Sequence, residues 1–87
     1  MIELRIKSGF DIINVDGHYV IKGENNLNQT IILDEISLFL WNNLKDKDFS
    51  KNEMLDLLLK AFEISTVLAL GEIDKFVRIL RENEIIE

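Results

Sequence analysis

Few side chains in this sequence could do chemistry, and they do not stand in a pattern that would. His18 is the single histidine among 87 residues. A nucleophile activated by a base, or a histidine-bearing metal site, needs partners that a lone imidazole lacks. His18 also follows directly on Asp16-Gly17, where a polar residue flanking a turn is expected. Ser37, Ser50 and Ser65 stand at or near the start of helical stretches, and a place at a helix start or on a helix surface explains them better than nucleophilic attack. A phosphate cradle needs closely spaced glycines, whereas Gly9, Gly17, Gly23 and Gly71 are scattered. Asp46 and Asp48 lack the D-x-[DN]-x-[DN]-G order of a calcium loop. The absence of Cys removes disulfides, thiolate metal sites and cysteine nucleophiles together. The sequence points away from independent catalysis, and it calls for no cofactor and no metal.

Composition narrows what remains. One domain spanning residues 1–87 and one core fit this length. A hydrophobic content of 47% fills an interior, and 30% charged residues solvate a surface. The net charge of −6, from 16 acidic against 10 basic residues, opposes nucleic-acid binding, which needs a basic face to neutralise phosphates. No apolar run spans a bilayer, and the opening MIELRIKSG lacks a signal-peptide core, so a soluble cytoplasmic protein without membrane contact is expected.

The elements that would position any site divide into a strand-rich front and a helical back. FDIINV (Phe10–Val15) and HYVIK (His18–Lys22) flank Asp16-Gly17, a strong hairpin signal because a type I′ turn needs φ > 0 at both central residues. GENNLN (Gly23–Asn28) reads as a polar connection to a third strand, TIIL (Thr30–Leu33). Met1–Lys7 also alternates, with Ile2, Leu4 and Ile6 on one side. From Asp34 the period turns helical. Asp34 is the expected N-cap of a helix over Glu35–Leu44, with Ile36, Phe39, Leu40 and Leu44 inward. KDKDF (Lys45–Phe49) reads as a charged connector. Ser50 and Glu53 form an S-x-x-E capping box for a second helix over Lys51–Phe62, burying Met54, Leu55, Leu58 and Phe62. Ser65 or Thr66 caps a third over Val67–Glu82, with Ala69, Ile73, Phe76, Val77 and Leu80 inward. Trp41 is expected to pack in the core or at its rim, and Ile85-Ile86 to fold back. The expected fold is α+β: a three-stranded antiparallel sheet followed by three helices, with the parts of a winged helix-turn-helix.

The third strand is the notable element. A meander ends on an unpaired edge, and unpaired N–H and C=O groups are a template for another strand. Thr30–Leu33 carries neither charge nor proline, the usual guards of such edges, which suggests docking unless Met1–Lys7 or the chain's tail covers it.

The stretch TIILDEISLFLWNNL resembles the PqqD family, the small protein of pyrroloquinoline quinone biosynthesis, whose relatives recognise ribosomally made, post-translationally modified peptides. FDIINVDGHYVIK is similar to that family's opening strands. Glu72-Ile73, Phe76-Val77, Leu80 and Ile85-Ile86 stand where its closing segment has corresponding residues. The resemblance covers roughly residues 8–87. Two loops depart from it: the family often has Asp-Gly after the first helix and Gly before the final aliphatic pair, where this chain has Lys45-Asp46 and Glu84. The acidic helix position, usually Asp, is Glu72.

The resemblance implies a non-catalytic recognition protein. It would bind the leader segment of a precursor peptide as an added strand, between the third strand and the third helix. It would then present the precursor to a modifying enzyme, such as a radical S-adenosylmethionine protein, or to a leader peptidase. The peptide-binding residues expected on this basis are Gln29, Thr30, Ile31, Ile32, Leu33, Glu72, Lys75, Phe76 and Ile79. On the third helix, Leu68 and Ile79 lie outside the core stripe beside Glu72 and Lys75. Such a surface suits a strand with one apolar anchor and a charged neighbour. Arg78 and Arg81 form a small basic strip near Asp74 on the opposite flank. The alternatives are a winged-helix DNA-binding or transcription-associated domain and a docking subunit of a larger enzyme. An exposed edge can also pair with a second copy of itself, giving a homodimer.

Overall fold

The structure, a computed structural model, describes residues 3–23 and 31–86. Among the described residues, five strands and three helices follow in the order β1 (Leu4–Arg5), β2 (Phe10–Val15), β3 (His18–Gly23), β4 (Ile31–Leu33), α1 (Glu35–Leu44), β5 (Asp48–Phe49), α2 (Lys51–Ala61) and α3 (Thr66–Glu82). The strands β2, β3 and β4 form an antiparallel sheet in that spatial order. The three helices complete an α+β fold of the expected winged helix-turn-helix-like kind.

The hairpin between β2 and β3 forms for the reason its sequence gives. Asp16 (φ 52°) and Gly17 (φ 85°) both adopt the left-handed conformation that a two-residue turn requires. Asn14 Oδ1 braces the turn by accepting from the Gly17 N–H at 3.0 Å. Register runs from Val15 opposite His18 to Phe10 opposite Gly23. Gly23 is thus the last residue of β3 rather than the first of a turn. An added Cβ at Gly23 would come within 2.5 Å of the Phe10 ring, so this close approach needs a glycine.

Each helix begins on a side-chain cap. Asp34 Oδ1 accepts from the Ser37 N–H at 2.8 Å, Ser50 Oγ from the Glu53 N–H at 3.2 Å, and Ser65 Oγ from the Leu68 N–H at 3.2 Å. Each bond satisfies one of the donors that a helix start leaves without a partner. The capping box at α2 is only half built, because the Glu53 carboxylate is held by Lys47. On α3 the expected stripe, Ala69, Ile73, Phe76, Val77 and Leu80, is buried throughout. On α1 the inward face is rotated from expectation. Ser37, Leu40, Trp41 and Leu44 are buried, while Ile36 and Phe39 are only partly so. Phe39 instead meets Phe62, just past the end of α2, edge to face at 5.2 Å between ring centres. Such a pair contributes about 0.5–1.5 kcal/mol beyond its burial.

The segment Lys45–Phe49 is not a plain connector. Phe49 is fully buried, and β5 pairs antiparallel with β1, Leu4 opposite Phe49 and Arg5 opposite Asp48. The alternation of a strand is hidden there by charge, because only one of its two faces is apolar. Ile85 and Ile86 do fold back: Ile86 bridges Ile6, and the Lys7 N–H donates to the Ile85 carbonyl at 2.7 Å. Leu4 and Ile6 enter the core from this side, while Met1 and Ile2 lie outside the described residues. The core therefore sits between the inner face of the β2–β3–β4 sheet and the three helices, closed by β1, β5 and the tail.

Candidate functional site

The sheet has two outer edges. Along β2 the edge carries Asp11, tied to Lys45 Nζ at 2.6 Å, and an ion pair of this kind guards an edge. Along β4 the edge is apolar: Ile31 and Leu33 turn into the core, and Ile32 turns out with 56% of its surface exposed. Opposite β3 the pairs are Ile21–Ile31, Val20–Ile32 and Tyr19–Leu33. The far side of β4 has no strand partner among the described residues. Neither β1 nor the tail segment Ile85–Ile86 covers it, since β1 pairs with β5 and Ile86 with Ile6. Gln29 and Thr30, expected to continue this strand, lie outside the described residues.

Asp34 connects the edge to α3. It follows β4 directly and caps α1 with one carboxylate oxygen. Its other oxygen, Oδ2, accepts from Lys75 Nζ at 2.7 Å. Lys75 Nζ also lies 3.2 Å from Glu72 Oε2, one helical turn back. Lys75, on the helix stripe Leu68, Glu72, Lys75 and Ile79 at spacings of four, three and four, thereby stands beside the C-terminal end of β4. The flank of α3 that meets the β4 side is the Glu72–Lys75 flank. Its apolar members differ: Leu68 is 62% exposed, whereas Ile79 is half-buried against the core.

The electrostatics follow from this geometry. Partial burial pushes the Asp34 carboxyl upward. The Lys75 ammonium and the Ser37 N–H outweigh it and hold the group below its ordinary value. Lys75 is raised above the ordinary lysine value, first by Asp34 and then by Glu72. Both groups are charged at neutral pH. Glu72 Oε2 is buried, and among the described residues it accepts no well-aligned hydrogen bond, although the Lys75 ammonium is close.

On the helix side Glu72 stands with Lys75, and on the strand side Ile32 is exposed, whereas Leu33 is buried as Ile31 is. Ile31 and Phe76 are core residues, Phe76 with 1% of its surface exposed, and they support the walls rather than line them. Sequence reasoning assigned Asp34 to capping alone. Its second contact, made across 41 residues to Lys75, left no local signal. The opposite flank of α3 lines an open cavity of about 780 Å³, where Arg78 and Arg81 face the start of α2 and Leu4. Lys51 there is bound to Asp74 at 2.9 Å. No group of His, Cys, Asp or Glu among the described residues is arranged to hold a metal ion. No helix among them is long and apolar enough to cross a membrane.

No family model matches the chain, and no curated protein matches it in sequence. Its fold is similar to a solved structure described as TbiB1 in complex with the TbiA(beta) leader peptide. The two superimpose with a TM-score of 0.74 over 95% of this chain and 94% of TbiB1, at 17% sequence identity. TbiB1 is a protein seen with a leader peptide bound. At this identity the likeness establishes the shared fold.

Proposed function

We propose that this chain is a PqqD-like peptide-recognition domain that acts without catalysis. It receives the leader segment of a ribosomally made precursor as an added strand on β4, between β4 and α3. The observation that carries this reading is the uncharged edge of β4, unpartnered among the described residues, beside the Glu72–Lys75 flank of α3, in a fold shared with a protein seen holding a leader peptide. Main-chain pairing to β4 supplies affinity that is indifferent to sequence, and the α3 wall supplies selection among side chains. The ligand contacts are Ile31–Leu33 through the backbone and Glu72, Lys75 and Ile79 through side chains, with Phe76 packed behind them. Bound in this way the precursor is presented in the cytoplasm to a modifying enzyme, such as a radical S-adenosylmethionine protein, or to a leader peptidase.

The cations of α3 speak against the winged-helix DNA-binding alternative. Lys75 is shared by two carboxylates, which leaves Arg78 and Arg81 to face phosphates in a chain of net charge −6. The test is a titration of ¹⁵N-labelled protein with a synthetic leader peptide from a precursor encoded beside its gene. Saturable shifts in the amides of Ile31–Leu33 and of the α3 stripe are expected. Shifts confined elsewhere, or salt-sensitive binding to a short DNA duplex in place of the peptide, would overturn the proposal.

A further inference from the structure

The charged contacts on the α3 wall do not balance. Asp34 and Glu72, two carboxylates, share the single ammonium of Lys75. Lys75 is committed to Asp34, at 2.7 Å and with hydrogen-bond geometry. Its approach to Glu72 Oε2 is longer, at 3.2 Å. Glu72 Oε2 is thus a buried acceptor, on a side chain about one-third exposed, whose ammonium partner among the described residues is shared with Asp34. Buried acceptors are rarely left so, and this one is on the helix face that adjoins the open strand edge. An acidic ligand side chain would have to draw Lys75 away from Asp34, in a chain whose net charge is already −6. A basic side chain meets no such obstacle.

Spacing adds a second condition. Leu68 and Glu72 are four residues apart on α3, about 6 Å along the helix axis. Alternate residues of an extended strand, which point to the same side, are about 6.7 Å apart. A strand lying along α3 therefore offers neighbouring same-side residues to Leu68 and Glu72 in step. Leu68 is an exposed leucine, suited to an apolar partner.

Resting on the peptide-recognition reading, we infer that the preferred occupant carries the pattern apolar-x-basic, its Lys or Arg received by Glu72 and its apolar residue by Leu68. Glu72 is then the residue that selects the ligand's charge. Lys75, held by Asp34 and 3.2 Å from Glu72 Oε2, limits where that carboxylate can turn.

The test is a selection from a random-sequence peptide library displayed on mRNA, run in parallel on the wild-type protein, Glu72→Gln and Glu72→Lys. Native Trp41 fluorescence and helical circular dichroism check that each variant folds. Peptides enriched on the wild type are expected to shift the Ile31–Leu33 amides and to carry Lys or Arg two positions from an apolar residue. Replacing that basic residue by Gln should weaken wild-type binding by about five- to tenfold, the effect of a partly exposed charged hydrogen bond. It should change binding to Glu72→Gln by less than about twofold, and Glu72→Lys should enrich Asp or Glu at the same position. Strand-shifting peptides without a basic preference, or with one that persists in Glu72→Gln, overturn this inference and leave the peptide-recognition reading standing. Enrichment of no peptide that shifts the Ile31–Leu33 amides overturns both.

Discussion

Replacing Asp34 in two ways separates its two tasks. Asp34→Ala removes the α1 cap and the Lys75 contact together. The cap contributes about 1 kcal/mol. The ion pair is made by side chains 46% and 48% exposed, so solvent screening reduces it to about 0.5 kcal/mol. The loss for Asp34→Ala is therefore about 1.5 kcal/mol. For a domain of this size that is a fall in Tm of about 6–12 °C. Asp34→Asn keeps an equally good cap and loses only the charge, which costs about 0.5 kcal/mol. Urea denaturation followed by Trp41 fluorescence reads both, because this single tryptophan is 1% exposed and sits beside α1's other core residues. A double-mutant cycle of Asp34→Asn with Lys75→Met should return a coupling of about 0.5 kcal/mol that shrinks as salt rises. The reasoning is refuted if Asp34→Asn costs as much as Asp34→Ala, or if the coupling is zero at low salt.

Further outcomes follow from single residues. Because the Asp34 carboxyl is held below its ordinary value of 3.8, its pair stabilises the fold fully above that pH and is lost as pH falls through the lower folded value. The stability gap between wild type and Asp34→Asn should accordingly close in acid denaturation below pH 3.8 and be constant at neutral pH. Gly23→Ala forces the Phe10 ring aside and should cost about 1–3 kcal/mol in a denaturant titration; a neutral result would show that the ring moves freely. Glu84 sits at φ 56°, where a left-handed backbone penalises any side chain. Glu84→Gly should raise stability by about 0.5–1 kcal/mol in the same assay, and a loss of that size would contradict the backbone argument. Ile32→Lys places a guard charge on an already exposed edge position. It should leave stability within about 0.5 kcal/mol and weaken peptide binding about three- to fivefold; unchanged binding would remove the β4 edge from the proposal.

What could be read in the sequence was local, and what could not was long-range. The I′ turn at Asp16-Gly17 and the caps at Asp34, Ser50 and Ser65 depend on neighbouring residues, so hairpin and helix starts were legible almost to the residue. β5 was missed because two residues carry no period, and its partner Leu4–Arg5 is 43–45 positions away. The α1 face was legible at Leu40 and Leu44, and Trp41 packs in the core as expected, while Ile36 and Phe39 are only partly buried. Phe39 instead meets Phe62 edge to face, a contact across 23 positions that local periodicity does not reveal. The β4 edge was legible as an uncharged strand after a hairpin. The flank of α3 that faces it was not, because it is decided by the Asp34–Lys75 contact. The loop departures from the PqqD pattern also acquire a physical sense. Asp46 and Glu84 stand where the resembled pattern often has glycine, and both have the positive φ that glycine adopts most easily.

The bridge between Ile6 and Ile86 sets the two ends of the described fold side by side. A domain entered and left at one point behaves topologically as a closed loop, indifferent to where that loop is cut. Joined by a short linker there and opened at the Asp16-Gly17 turn, the same residues should find the same fold. Spliced by those ends into a surface loop of a larger protein, the domain would spread the host's attachment points very little. The geometry thus suits the chain to being carried as an insert as readily as to working alone.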